Sequence, residues 1–196
     1  MAATTGRPAR LHHVNLKTPR LQEMIDWYGA VCGTEVIHVF PGGAWLTNDD
    51  ANHRIALLTG PLIEDDPDRF THAGMHHFAF EHPSVDALLL EYVRLKDEIG
   101  AVPHMCLDHG MTISFYYVDP DGNSVEMQAD WFGDWSKSKR FMRESPEFAA
   151  DPIGTFLDPE LVVAARRDGA SIEELHRRCY GGEFTPAGQP DLRVAL

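Results

Sequence analysis

The chain has 196 residues, room for one domain or for two small repeated modules sharing a core. Hydrophobic residues make up 43% and charged residues 24%, as in an ordinary globular protein. The formal net charge of −13 argues against nucleic acid as a partner, and no stretch approaches the roughly 20 apolar residues that span a bilayer.

Residues 1–10 contain no apolar h-region, so no secretory signal is expected. Leu11-His12-His13-Val14-Asn15-Leu16 alternates as a strand would, and a helical pattern containing Leu21, Met24, Ile25, Trp27 and Tyr28 follows Pro19. Three strand-like runs come next, over 35–40, 44–47 and 53–59, separated by Pro41-Gly42-Gly43 and Asn48-Asp49-Asp50 turns. Residues 61–74 read as an acidic linker loop. Then the order repeats. Met75-His76-His77-Phe78-Ala79-Phe80 mirrors the first hexamer, Pro83 mirrors Pro19, and Ser84 is placed to cap a helix beginning at Val85. Strands are expected over 102–107, 112–118 and 124–129. Both halves therefore read β-α-β-β-β. The expected fold is α+β: two βαβββ modules (10–60 and 75–130) forming a curved eight-strand cup within a domain over 1–136. The remainder, 137–196, is expected to be a helical tail. Asp158-Pro159 opens one helix that Gly169 closes, and Ser171 with Glu174 forms a capping box for another. This tail is expected to help close the cup.

The chemistry concentrates in His109-Gly-Met-Thr-Ile-Ser-Phe115-Tyr116-Tyr117-Val-Asp119-Pro120-Asp-Gly122-Asn-Ser-Val-Glu126, two short strands joined by a Pro-Asp-Gly turn. His13 and His77 occupy repeated positions, and Glu126 lies on the last strand of the second module. Two imidazoles and one carboxylate form the ligand set that leaves open positions on a non-haem Fe(II) ion. His12 and His76 precede the two histidines in matching contexts and are expected to face the opposite way; the repeat alone does not say which pair points inward. Strand alternation sets Glu126 opposite Val125 and Met127, which in a half-buried strand would place it in solvent. Phe115, Trp131, Phe132 and Trp135 are candidates for an apolar lining, while Tyr117 reads as a core aromatic. Cys32, Cys106 and Cys179 form no CxxC pair and read as small buried hydrophobes in a reducing cytoplasm.

The run from His109 to Glu126 resembles the signature of type I extradiol ring-cleaving dioxygenases of the vicinal oxygen chelate superfamily: a histidine, an apolar residue with tyrosine, Asp-Pro-x-Gly and a ligating glutamate. The resemblance covers about residues 10 to 130 and is to the small one-domain members, some acting on 2,3-dihydroxybiphenyl-like catechols. It implies His13, His77 and Glu126 as ligands of Fe(II), with Mn(II) admitted by the same set. It also implies catalytic roles for His53, His109 and Tyr116. The implied partners are a catechol and O2, and small members often form homo-oligomers. Two other activities share the fold: a glyoxalase-like metal isomerase or lyase, and a metal-free small-molecule-binding resistance protein. The first needs a second carboxylate on the last strand of module one, and 53–60 contains no acid. The second has no use for this constellation of histidines, tyrosine and glutamate.

Overall fold

The structure is a computed structural model and describes residues 9–194. The reading of the N-terminal segment falls mostly on residues 1–8, outside the described residues. The chain divides into two compact units at Asp65/Asp66.

In the first unit, β1 (Val14–Lys17) leads to α1 (Leu21–Cys32), followed by β2 (Glu35–Phe40), β3 (Gly43–Thr47) and β4 (Ile55–Leu58). The four strands form one sheet in the order β1-β4-β3-β2, with β1 parallel to β4 and the other pairs antiparallel. Helix α1 buries Met24, Ile25, Tyr28, Val31 and Cys32, a stripe at helical spacing that packs on β2, β3 and β4. Fully burying side chains of this kind contributes about 1.5–3 kcal/mol each. Gly33 ends the helix in the left-handed region at φ 64° and donates its N–H to the Tyr28 carbonyl.

The second unit repeats the plan and extends it. It contains β5 (His77–Glu81), α2 (Val85–Arg94) continued by a π-helical turn (Leu95–Ile99), β6 (Met105–Asp108), β7 (Thr112–Val118) and β8 (Ser124–Asp130). Ser84 caps α2 as expected, its Oγ accepting from the Ala87 N–H at 3.2 Å. Beyond β8 come α3 (Trp135–Glu144), α4 (Pro146–Ala150), β9 (Thr155–Phe156), α5 (Pro159–Arg167) and α6 (Ile172–Tyr180). The sheet order is β5-β8-β7-β6-β9, with β5 parallel to β8.

The β-α-β-β-β reading of each half holds, with sheets of four and five strands. The tail is helical as expected and adds one short strand: β9 pairs antiparallel with β6, Leu107 opposite Phe156. The tail belongs to the same compact unit as the second module, and α5 packs on α2. Asp158 and Ser171 cap α5 and α6 as expected. Among the described residues, no helix is long and apolar enough to cross a membrane.

Candidate metal and catalytic site

The turn between β7 and β8 sets the geometry of the second unit's site. Asp119 Oδ1 accepts from the backbone N–H groups of Asp121 and Asn123 at 3.0 and 2.8 Å, and Oδ2 accepts from Asn123 Nδ2 at 2.8 Å. Gly122 takes φ 80° and donates its N–H to the Asp119 carbonyl, a conformation that favours glycine. With the turn fixed, Val118 pairs with Ser124 and Tyr116 with Glu126. On the other side of β8, Glu126 pairs with Ala79, two residues after His77.

Glu126 is 5% exposed, so it does not take the solvent-facing place that an ordinary half-buried strand would give it. Its neighbours Val125 and Met127 are also buried, because β8 is covered on both faces. Glu126 Oε2 lies 3.1 Å from His77 Nε2. The separation suits a shared cation. Two ligand atoms bound at right angles, each roughly 2.1 Å from a first-row divalent ion, lie about 3.0 Å apart. The donor set, imidazole nitrogen and carboxylate oxygen, suits such an ion.

Tyr116, 2% exposed, reaches toward His109, whose Nε2 is 2.8 Å from the Tyr116 hydroxyl. The other nitrogen of His109, Nδ1, is 2.6 Å from the Ile153 carbonyl. A carbonyl only accepts, so Nδ1 carries the proton, and in the neutral ring Nε2 accepts from the Tyr116 hydroxyl. Burial is the main reason that the His109 pKa falls below the ordinary histidine value, which favours this neutral ring. Burial, followed by the Glu126 charge, pushes the Tyr116 phenol well above its usual range. His109 and Tyr116 thus form a neutral hydrogen-bonded dyad, and Tyr116 also makes an edge contact with the His77 ring at 5.2 Å.

The first unit holds the remaining expected residues. His12, His13 and His53 cluster with ligand atoms within 4.8 Å of one another. His53 packs on His13 at 4.4 Å between ring centroids and stacks on Trp45 at 5.9 Å. Its pKa falls below the usual value, first through burial and then through the neighbouring His13 and His12.

Several expectations are corrected. His12 and His76 do not face away from their neighbours: His12 Nδ1 is 3.0 Å from His13 Nδ1, and His76 Nδ1 is 2.7 Å from His77 Nδ1. Alternation fails because His12, His13 and His76 precede the strands, which begin at Val14 and His77. Phe115 does not line a mouth. It is fully buried and meets Tyr92 of α2 edge-on at 5.5 Å, on the opposite side of β7 from Tyr116. Trp131 is also buried, stacked on His176 at 4.9 Å, with its Nε1–H donated to Asp108. Trp135 is 64% exposed and donates to Glu81. Tyr117, 2% exposed, is the core aromatic expected.

Sequence reasoning did not foresee that backbone carbonyls of the tail meet the histidines. Ile153 O, Asp191 O and Leu192 O each lie within hydrogen-bond distance of an imidazole: His109, His104 and His76 respectively. Backbone carbonyls carry no sequence signal, so only the histidines could have been noticed.

A description of the Glyoxalase/Bleomycin resistance protein/Dioxygenase superfamily matches residues 10–127. Biphenyl-2,3-diol 1,2-dioxygenase 2 of Rhodococcus globerulus is 36% identical over 184 residues, covering 94% of this chain and 95% of that one. Biphenyl-2,3-diol 1,2-dioxygenase 3 of the same organism is 37% identical over 172 residues, covering 87% and 89%. Among solved structures, a glyoxalase/dioxygenase from Nostoc punctiforme is 20% identical, covers 66% of this chain and 97% of that one, and has a TM-score of 0.53, a likeness of fold. The similarity to the two Rhodococcus proteins runs through the tail as well as the two modules. The chain belongs to the Glyoxalase/Bleomycin resistance protein/Dioxygenase superfamily, as an extradiol dioxygenase-like member.

Proposed function

We propose that the protein is an extradiol dioxygenase. It inserts both atoms of O2 into a catechol-type diol, 2,3-dihydroxybiphenyl or a relative, with meta cleavage of the ring. The reading is carried by the His77–Glu126 donor pair standing beside the Tyr116–His109 dyad, in a chain 36% and 37% identical to proteins named biphenyl-2,3-diol 1,2-dioxygenase. The proposed ligands are His13, His77 and Glu126. The proposed metal is Fe(II), with Mn(II) accepted by the same donors. When bound, the ion supplies open positions for the catechol oxygens and O2.

The protein's own groups divide the remaining work. The dyad presents a phenol and an imidazole that can hold a catecholate oxygen and exchange a proton with it. His53, kept neutral by its surroundings, takes a second proton-transfer role. The three cysteines are free and buried, which suits the reducing cytoplasm proposed as its location. A homo-oligomer completes the proposal, on the habit of the small members of this family.

The test is direct. The protein is purified without air, its bound iron is measured, and 2,3-dihydroxybiphenyl is added in air. A yellow ring-fission product and one iron per chain are expected. Glu126→Ala should abolish both while leaving the fold intact. Retention of stoichiometric iron by that variant, or absence of any ring-fission product from the iron-loaded wild type with several catechols, would refute the reading.

A further inference from the structure

Beyond the three ligands and the dyad, the geometry assigns His76 as a positioning residue that sets which nitrogen of His77 carries the proton, with the Leu192 carbonyl as its anchor. The inference rests on the reading that His77 is a metal ligand. The facing nitrogens, His76 Nδ1 and His77 Nδ1, are 2.7 Å apart, so one must donate and the other accept. The direction follows from the far side of the His76 ring. Its Nε2 lies 2.9 Å from the Leu192 carbonyl, an atom that only accepts, so Nε2 carries the His76 proton. A neutral imidazole with its proton on Nε2 has a bare Nδ1. His76 therefore accepts, and His77 donates from Nδ1.

The consequence falls on the other nitrogen of His77. With its proton on Nδ1, His77 keeps an electron pair on Nε2, the atom 3.1 Å from Glu126 Oε2. Two electron pairs face each other there, an arrangement that a cation between them relieves. Ligating histidines generally donate their second N–H to an acceptor, which fixes the ring and strengthens the ligand. Here that acceptor is another imidazole, itself set by the tail.

Two further observations support the relay. The same Nδ1–Nδ1 contact joins His12 and His13 at 3.0 Å, so both modules carry it. The tail segment is held independently of His76. His104 Nδ1 donates to the Asp191 carbonyl at 2.7 Å, Arg193 donates to the Gly122 carbonyl at 3.0 Å, and the Arg193 guanidinium lies over the Phe70 ring at 4.9 Å. The Leu192 carbonyl is thus fixed in place before His76 reaches it.

The experiment uses the full chain labelled with 15N at histidine. Long-range 1H–15N spectra of the metal-free protein at mildly alkaline pH report the tautomer of each ring. Wild type should show His77 protonated at Nδ1 and His76 at Nε2. Co(II) affinity is then measured by chelator competition. His76→Phe should bind Co(II) roughly 10–100-fold more weakly, and His76→Gln, whose side-chain oxygen can accept from His77, should recover most of that loss. A His77 protonated at Nε2 in wild type would overturn the assignment, even if His76→Phe proved unstable. So would a His76→Phe protein that keeps its circular dichroism and binds Co(II) as tightly as wild type, or a glutamine variant no better than phenylalanine. His77→Ala separates the two levels. If it keeps full Co(II) affinity, His77 is not a ligand and the functional reading itself fails. If it loses affinity while His76→Phe does not, only the positioning role fails.

Discussion

Asp108 ends β6 immediately before His109, and it is 0% exposed. Its Oδ1 accepts from the Gly110 N–H at 2.7 Å and from Trp131 Nε1 at 3.1 Å, while its Oδ2 is buried without a hydrogen-bond partner among the described residues. Burial pushes its pKa up to about 7 from 3.8, against the pull of those two hydrogen bonds. The sign of the effect on stability is fixed by linkage. Between these two values the folded protein holds a proton that the unfolded chain has released. Stability is therefore fullest below the unfolded value and is lost as pH rises toward the folded value, then levels off. A displacement of this size corresponds to a ceiling on the order of 4 kcal/mol, and relaxation around the charged form should leave roughly 2–4 kcal/mol observable. Asp108→Asn keeps the Oδ1 acceptor and removes the ionisation. Urea unfolding of the metal-free wild type and variant, compared from pH 4 to 8, cancels every titration the two share. The wild type should lose stability relative to the variant by roughly the amount above, with most of the change between pH 5 and 7. A gap that stays flat across the range would refute the reasoning, and one that widens in favour of the wild type at high pH would reverse its sign.

Two other perturbations test the catalytic assignments. His53→Phe should keep iron binding and catechol binding near wild type, yet slow turnover by roughly 10²–10⁴-fold, the usual worth of a positioned acid–base group; turnover equal to wild type would remove His53 from the mechanism. Gly154 has φ 88°, and a Cβ there would sit 2.0 Å from the Asp108 carbonyl. Gly154→Ala should therefore cost more than about 1 kcal/mol in unfolding experiments and pull the Ile153 carbonyl from His109, lowering kcat more than it raises KM; unchanged stability and kcat would show that the loop does not hold the dyad.

The parts of the fold legible in the sequence are those where local and long-range signals agree. The β7–turn–β8 unit could be read to within one residue because alternation, β-branched and aromatic content and the Asp-Pro-Asp-Gly turn all specify one register. The tail was harder. Helix α3 buries only Ser138, so it has no apolar stripe to announce it, and its start rests on the Asp134 side chain accepting from the Ser136 N–H. Strand β9 is two residues long and exists because β6 offers an open edge to pair with. Within the site, the resemblance pointed to His109 and Tyr116 as residues, but not to the hydrogen bond between them. Alternation alone did not give the burial of Glu126, because it assigns one wet face and β8 has none. The tautomer of His109 was beyond reach as well, since it depends on a carbonyl 44 residues away in sequence.

The registers of the two sheets bear on which activity of the superfamily this chain performs. Counting from the repeated histidines, Asn15 in β1 stands where Ala79 stands in β5. The β4 partner of Asn15 is Ala56, and the β8 partner of Ala79 is Glu126. The β3 partner of Ala56 is Trp45, and the β7 partner of Glu126 is Tyr116. Module one therefore carries alanine and tryptophan at the positions where module two carries the carboxylate and the phenol. Ala56 is 3% exposed and fills its place with a methyl group, which cannot ligate a metal. A glyoxalase-type site, which needs a carboxylate from each module, lacks one of its donors at the very position where the repeat would supply it. What the repeat does supply is one histidine from each module and a single glutamate. On the proposed ligand set, a single carboxylate with two imidazoles would leave more of an ion's coordination sphere open to exogenous ligands, as a reaction between a diol and O2 requires and an isomerisation of one substrate does not.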